Sequence, residues 1–168
     1  MCKFVSDNEV SSVTNTMTSM KRYVVVCGVI VIDGEVLCMR RGVGHSASTS
    51  EKWEFPGGKI EDGESAEEAL QRELLEEMDY EVEMLGHLAT VEHEYNDFQV
   101  RLSAYLCGAR SREFVRKEHS DHKWIPIGDS FENAEIMALD WAQADYALLA
   151  SLDVEEVNRR LAAKGYIK

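Results

Sequence analysis

Residues 61–81 carry ten acidic side chains (Glu61, Asp62, Glu64, Glu67, Glu68, Glu73, Glu76, Glu77, Asp79 and Glu81) and one basic one, Arg72. Such a run repels itself, so the spacing of its members matters. On a helix turning about 100° per residue, Glu77 stands roughly 40° from Glu73, and Glu76 roughly 60° on the other side. The three carboxylates therefore share one arc. Ala66, Leu70 and Leu74 fall within about 100° of Glu73, which puts Glu73 and Glu77 inside or beside the apolar stripe. A face serving only solubility would point the other way, where Glu68 and Asp79 fall. Like charges four residues apart destabilise a helix by about 0.2–0.5 kcal/mol, and partial burial adds to that cost. A bound cation relieves both. Oxygen ligands with no His or Cys among them suit Mg²⁺ or Mn²⁺ rather than zinc. The alternative is a solvated acidic helix with Glu68–Arg72 and Arg72–Glu76 as surface ion pairs. The place of Glu77 in the apolar stripe favours the metal.

The elements that must position these groups are legible on either side. Ser65-Ala66-Glu67-Glu68 has the form of a capping box, and the helix it opens runs to about Met78. The β-branched run Tyr23–Ile32 reads as a buried strand, turned at Asp33-Gly34 into a second strand, Glu35–Met39. Gly42–Lys52 is small and polar, which marks a loop. Strands follow at Glu83–Tyr95 and Phe98–Cys107, joined at Asn96-Asp97; the second alternates apolar and polar residues. A polar loop over 108–121 leads to a short strand, His122–Ile127, and helices close the chain near 141–152 and 154–164. Residues 1–20 show no period and no turn chemistry and read as a flexible leader. With no repeat and no linker, 21–168 is expected to form one domain of mixed α and β character.

Composition narrows the class. The chain has 168 residues, with 31 Asp and Glu against 18 Lys and Arg, a net charge of −13. That field opposes duplex nucleic acid, yet a divalent cation can stand between it and a small phosphorylated substrate. The cysteines (Cys2, Cys27, Cys38, Cys107) show no CxxC spacing, and three lie in apolar strand-like runs. They read as small buried hydrophobes in a reducing compartment, the cytoplasm. No apolar run approaches the roughly 20 residues of a membrane helix, and the start of the chain lacks a secretory pattern.

The spacing Gly58-x5-Glu64-x7-Arg72-Glu73-Leu74-x-Glu76-Glu77 resembles the Nudix box, the signature of hydrolases acting on nucleoside diphosphates linked to another group. The string WEFPGGKIEDGE, from Trp53 to Glu64, resembles the MutT-type branch in particular. The likeness in order and spacing extends from about Val24 to Leu152. It implies an α/β (α+β) fold: an α/β/α sandwich around a mixed sheet, with the box as loop–helix–loop. It implies that Glu73, Glu76 and Glu77 bind Mg²⁺ (or Mn²⁺), with Arg72 orienting one of them and Glu64 supporting the loop. The Gly57 carbonyl and the loop acid Glu118 are implied as further metal ligands, with Glu73 or Glu118 as proton acceptor. Arg41 aligns with an arginine that contacts substrate phosphates. The implied products are a nucleoside monophosphate and pyrophosphate. One departure stands out: the family pattern ends in Gly and an aliphatic residue, where this chain has Asp79 and Tyr80, so an altered helix exit is expected.

The stretch Leu139–Asp145 resembles the segment that contacts the base in this branch, with Asp145 where a base-reading Asn or Asp is found. An ionised Asp only accepts hydrogen bonds and suits a donor edge, such as the amino group of cytosine or N1 and N2 of guanine; a protonated one also donates. Helix capping is the plain alternative for Asp145. Phe55 and Trp124 are candidates to flank a base, or plain core. The candidate substrates are 8-oxo-dGTP, dGTP, CTP and dCTP, the motif around Asp145 looking somewhat more like CTP-type enzymes. ADP-ribose hydrolysis and a non-catalytic nucleotide sensor are the competing readings. His119-x-x-His122 and His93 do not form a zinc pattern, and His45 lies in the loop after Arg41. The expected partner is a small-molecule nucleotide, with neither duplex nucleic acid nor membrane. The helix near 154–164 is a possible homodimer surface.

Overall fold

The computed structural model describes residues 20–168; residues 1–19, with Cys2 and all but the last residue of the expected leader, lie outside the described residues. Strand β1 (Lys21–Ile32) is central, and its apolar run is continuous because both of its faces are covered. Val26 and Ile30 point to one side, Cys27, Val29 and Val31 to the other. Asp33 and Gly34 both take positive φ, 50° and 76°, and turn the chain into β2 (Glu35–Arg40). Strand β6 (Phe98–Gly108) runs parallel to β1 from Lys21↔Phe98 to Ile30↔Cys107. All other pairings are antiparallel, those of β2 with β1 and of β3 (Trp53–Glu54), β4 (Gly57–Lys59), β5 (Glu83–Glu94) and β7 (Asp121–Pro126) with their neighbours. The main path is β3-β2-β1-β6-β5, with β4 laid on β1 and β7 on β2. The sheet is mixed, as expected.

Helices cover both faces. Ala69, Leu70, Leu74 and Met78 of α1 (Ala66–Met78) pack on Val26, Ile30, Leu37 and Met39. Helices α3 (Gln143–Leu149) and α4 (Val154–Ala163) cover the other face, where Leu148, Leu149, Val157 and Leu161 meet Val29, Val36 and the inward side of β6. This is the α/β/α sandwich implied by the sequence. Cys27, Cys38 and Cys107 are buried and free.

Two expectations are corrected. Strand β4 forms where the sequence carries no strand pattern, and β3 where the pattern is only three residues long, because their partners are distant: Val26 pairs with Gly58 and Met39 with Glu54. The helix expected over 141–152 is shorter, since Trp141 is held in a bridge to Trp53. A short helix α2 (Ala134–Met137) precedes it, capped by Asn133 Oδ1, which accepts from the Glu135 and Ile136 N–H groups (3.1 Å each). Helix α4 turns Val154, Val157 and Leu161 inward.

The exit of α1 is also corrected. Asp79 takes the left-handed conformation (φ 47°, ψ 38°), the Asp79 N–H donates to the Leu75 carbonyl at 3.1 Å and the Tyr80 N–H to that of Leu74 at 3.2 Å. That is the turn a glycine would make. A short polar side chain tolerates it.

Candidate active site

The acids of α1 are presented by a helix whose start is fixed locally. Ser65 accepts from the Glu68 N–H (3.2 Å), and Glu68 accepts from the Ser65 N–H (2.8 Å), closing the expected capping box. Arg72 then gathers the box. Its Nη1 donates to Glu73 (3.0 Å) and Glu76 (3.2 Å), its Nη2 to the Lys59 carbonyl (3.1 Å) and Glu64 (3.0 Å). Glu64 also accepts from the Glu61 N–H, so the loop and the helix are locked through one guanidinium. The Arg72 contact lowers the Glu64 carboxyl below its ordinary range.

Opposite the helix lies β4. Its glycines admit the close approach: a Cβ on Gly57 would stand 2.0 Å from the Val26 carbonyl oxygen, and one on Gly58 2.3 Å from Cδ of Glu73. Between them opens a cavity of ≈ 520 Å³ lined by Arg41, Glu54, Gly57, Lys59, Glu73, Glu77, Glu118 and His119. The structure thus brings together Arg41, Gly57, Glu73, Glu77 and Glu118 from four separate segments. Glu76 does not line it; its carboxylate is exposed and held by Arg72.

The charge balance in this cavity is unusual. Burial pushes the Glu77 carboxyl up to about 8, and a hydrogen bond and repulsion from Glu73, then Glu118 and Glu54, add to the effect. Among the described residues no three His, Cys, Asp or Glu side chains converge closely enough to hold an ion as they stand. The donor chemistry nevertheless fits a hard divalent cation: all-oxygen ligands, crowded, with one proton retained where a positive charge is wanted. A testable consequence follows from the sign of the shift. Folded Glu77 keeps a proton that the unfolded chain releases near 4.5, so this group withdraws stability as pH rises from about 4.5 to about 8. The melting temperature of metal-free protein should fall across that window more steeply than that of Glu77→Gln. Binding of Mg²⁺ near pH 7 should release about one proton, read by calorimetry in two buffers of different ionisation enthalpy.

A second cavity of ≈ 530 Å³ adjoins the first and shares Val25, Arg41, Gly44, Glu54 and Lys59 with it. Its own lining includes Tyr23, Tyr95, Phe98, Asp145 and the loop residue His45. Tyr95 and Phe98 are stacked with centroids 4.7 Å apart. Asp145 is 7% exposed, and its Oδ1 accepts from the Phe55 N–H at 2.9 Å. Burial, and then repulsion from Glu54, push its pKa well above the usual carboxylate range, toward the protonated form that both donates and accepts. It does not cap α3, whose N-cap Ala142 carries no side-chain bond.

Two expected base-flanking rings are elsewhere. Phe55 is buried against Trp141, with centroids 5.1 Å apart, so it enters the site through its N–H and not its ring. Trp124 packs on the α1 side beneath Arg112. Conversely, Glu54, Lys59 and Tyr95, to which no motif assigns a role, line the cavities, and His119 lines the first without a zinc role. Glu54 is bridged by Arg41 Nη1 (3.2 Å) and His119 Nε2 (3.0 Å). The alternation Trp53 buried, Glu54 half-buried, Phe55 buried is a period-2 signal that could have found it. Lys59 stands over the Tyr23 ring at 4.1 Å, where the two cavities meet.

The NUDIX domain family model matches residues 21–157. The chain is 32% identical over 109 residues to "8-oxo-dGTP diphosphatase" of Escherichia coli K12, covering 64% of this chain and 83% of that protein. It is 44% identical over 68 residues to the same-named protein of Proteus vulgaris, covering 40% and 61%. Against "CTP pyrophosphohydrolase" of Escherichia coli K12 it is 35% identical over 86 residues, 51% and 62%. The solution structure of the E. coli ORF135 protein superposes with a TM-score of 0.60 at 28% identity, over 88% of this chain and 96% of that one. A MutT NUDIX hydrolase from Burkholderia pseudomallei shares the fold, with a TM-score of 0.64 at 24% identity over 78% and 98%. Box, sandwich and family match agree, and the chain belongs to the NUDIX family as a MutT-type hydrolase of pyrophosphate bonds.

Proposed function

We propose that the protein is a Mg²⁺-dependent nucleoside triphosphate pyrophosphohydrolase, releasing a nucleoside monophosphate and pyrophosphate in nucleotide-pool cleaning in the cytoplasm. The observation that carries this reading is the continuity of the two cavities. One end offers clustered carboxylates, the other a buried hydrogen-bonding Asp145 beside aromatic walls, and the cations Arg41 and Lys59 lie on the boundary. A base, a ribose and a polyphosphate chain have that order of polarity.

The roles follow from the positions. Asp145 and the Tyr95 hydroxyl, which already accepts from the Ala144 N–H (3.0 Å), read the base edge with a donor and an acceptor each. Arg41 and Lys59 bind phosphate oxygens. Glu118, at the edge of the acidic cluster, accepts the proton of the attacking water. Glu73, Glu77, Glu118 and the Gly57 carbonyl would hold Mg²⁺ (or Mn²⁺), which when bound neutralises phosphate charge and acidifies water; Glu76 would have to turn from Arg72 to join them.

The test is turnover of 8-oxo-dGTP, dGTP, CTP and dCTP, read as pyrophosphate release, and of ADP-ribose, read as AMP formation, comparing native protein with Asp145→Asn. The native enzyme should turn over one triphosphate best. The variant should keep the cytosine-to-guanine ratio of kcat/KM within about twofold, because its amide offers the same donor and acceptor as the protonated acid; a change of about tenfold or more would show that Asp145 reads the base ionised. Turnover of ADP-ribose alone would overturn the assignment.

A further inference from the structure

The loop before β7 is fastened to three different elements by successive residues. Lys117 is tied to the C-terminal end of α1: its Nζ donates to the Asp79 carboxylate (2.7 Å) and to the Glu76 carbonyl (3.2 Å). Its own N–H lies 3.4 Å from the Glu77 carbonyl, a long bond, so the side chain carries this anchor. His119, its side chain 6% exposed, bonds Glu54 on β3. The Ser120 N–H donates to the Arg40 carbonyl at the end of β2 (2.9 Å). Glu118, between these anchors, lines the cavity with Glu73 and Glu77.

Asp79 is the unexpected member. Its backbone is left-handed (φ 47°), where glycine is the better residue for ending a helix. Its side chain is the one feature glycine could not supply, and that side chain is bonded to Lys117. The ammonium also sits at the negative end of α1, beside a carbonyl the helix leaves unpaired. We propose that Asp79 and Lys117 form a clamp that sets the reach of Glu118 into the cavity, which makes both of them positioning residues for hydrolysis. The proposal rests on the reading of Glu118 as proton acceptor, and it turns on the residue that replaces the last glycine of the box pattern.

Four variants test it, assayed with Mg²⁺ on the triphosphate turned over best. Asp79→Gly removes the clamp while improving the backbone fit. It should melt at or above the native temperature, yet lose about fivefold in kcat with KM changed by less than about twofold. Asp79→Asn keeps both the left-handed tolerance and an acceptor for Lys117, and should stay within about twofold of native. Lys117→Met should lose at least as much kcat as Asp79→Gly. Glu118→Gln sets the scale, with a loss of about 10²-fold or more. A deficient Glu118→Gln with native kcat in Asp79→Gly would take down the clamp alone. Native kcat in Glu118→Gln would take down the reading of Glu118, and the clamp with it.

Discussion

Replacing Glu77 by Gln should lower kcat by about 10³-fold, roughly 4 kcal/mol of transition-state stabilisation. The shapes of the two side chains are nearly equal, so α1 and its packing survive. What changes is charge: an amide carries no negative charge for a divalent cation and cannot neutralise it. Glu77 is the member of the cluster most strongly held back from ionising, first by burial and then by Glu73. A group in that condition gains most from a cation and loses most when made neutral. Stability should move the opposite way. Without divalent ions at pH 8 the variant should be more stable than native by about 1 kcal/mol, because a crowded, part-buried negative charge has gone. Loss of activity together with gain of stability separates this site from ordinary structural damage. Pyrophosphate release and a urea melt of the same preparations check both halves, and a variant that keeps native turnover would remove Glu77 from the site.

The second large effect concerns neighbouring glycines with different fates. A Cβ on Gly57 would meet backbone, the Val26 carbonyl oxygen at 2.0 Å and Cys27 Cα at 2.7 Å. Strand β4 could make room only by lifting off β1, which breaks the Val25–Cys27 pairing and strains the bond from the Gly28 N–H to the Pro56 carbonyl (2.8 Å). Gly57→Ala should therefore cost about 3 kcal/mol and lower the melting temperature by about 10 °C. At Gly58 the obstacle is the end of a side chain, the Glu73 carboxyl. Gly58→Ala should cost about 1 kcal/mol in folding, since Glu73 can rotate away. Its activity should fall about 10²-fold, because the displaced group belongs to the acidic cluster. Differential scanning calorimetry with single-substrate kinetics tells the two apart. Equal melting temperatures for the two variants would show that β4 does not grip β1 as described.

What could be read from the sequence was whatever is decided within one element. Helix α1 is the clearest instance: its capping box, its period and the arc holding Glu73 and Glu77 are all local. The buried strand β1 and the Asp33-Gly34 turn are local in the same sense. Properties decided between elements were not legible. Strands β3 and β4 exist because β1 and β2 accept them, so Gly57–Lys59 carries no strand pattern of its own. The ring of Phe55 faces Trp141, more than eighty residues away, and no spacing near Trp53 announces that. His119 looked like half of a poor zinc pair; only folding shows that it buries itself against Glu54. Glu76 shares the arc of Glu73 and Glu77, yet Arg72 claims it, because one guanidinium can serve several carboxylates at once.

The segment from Trp53 to Lys59 touches both ends of the cleft. At Phe55 its N–H holds Asp145; at Gly58 its backbone lies against Glu73. On the proposed reading, the distance between base edge and acidic cluster is set by the short bend at Pro56, whose flanking strands β3 and β4 are pinned to β2 and β1, which makes the segment a ruler. Under the proposed function, substrates would then be sorted by how far their scissile bond lies from their base as well as by the base itself. Lengthening the chain by one residue at Pro56 would shift the two marks relative to each other, altering the permitted linkage while leaving every chemical group in place.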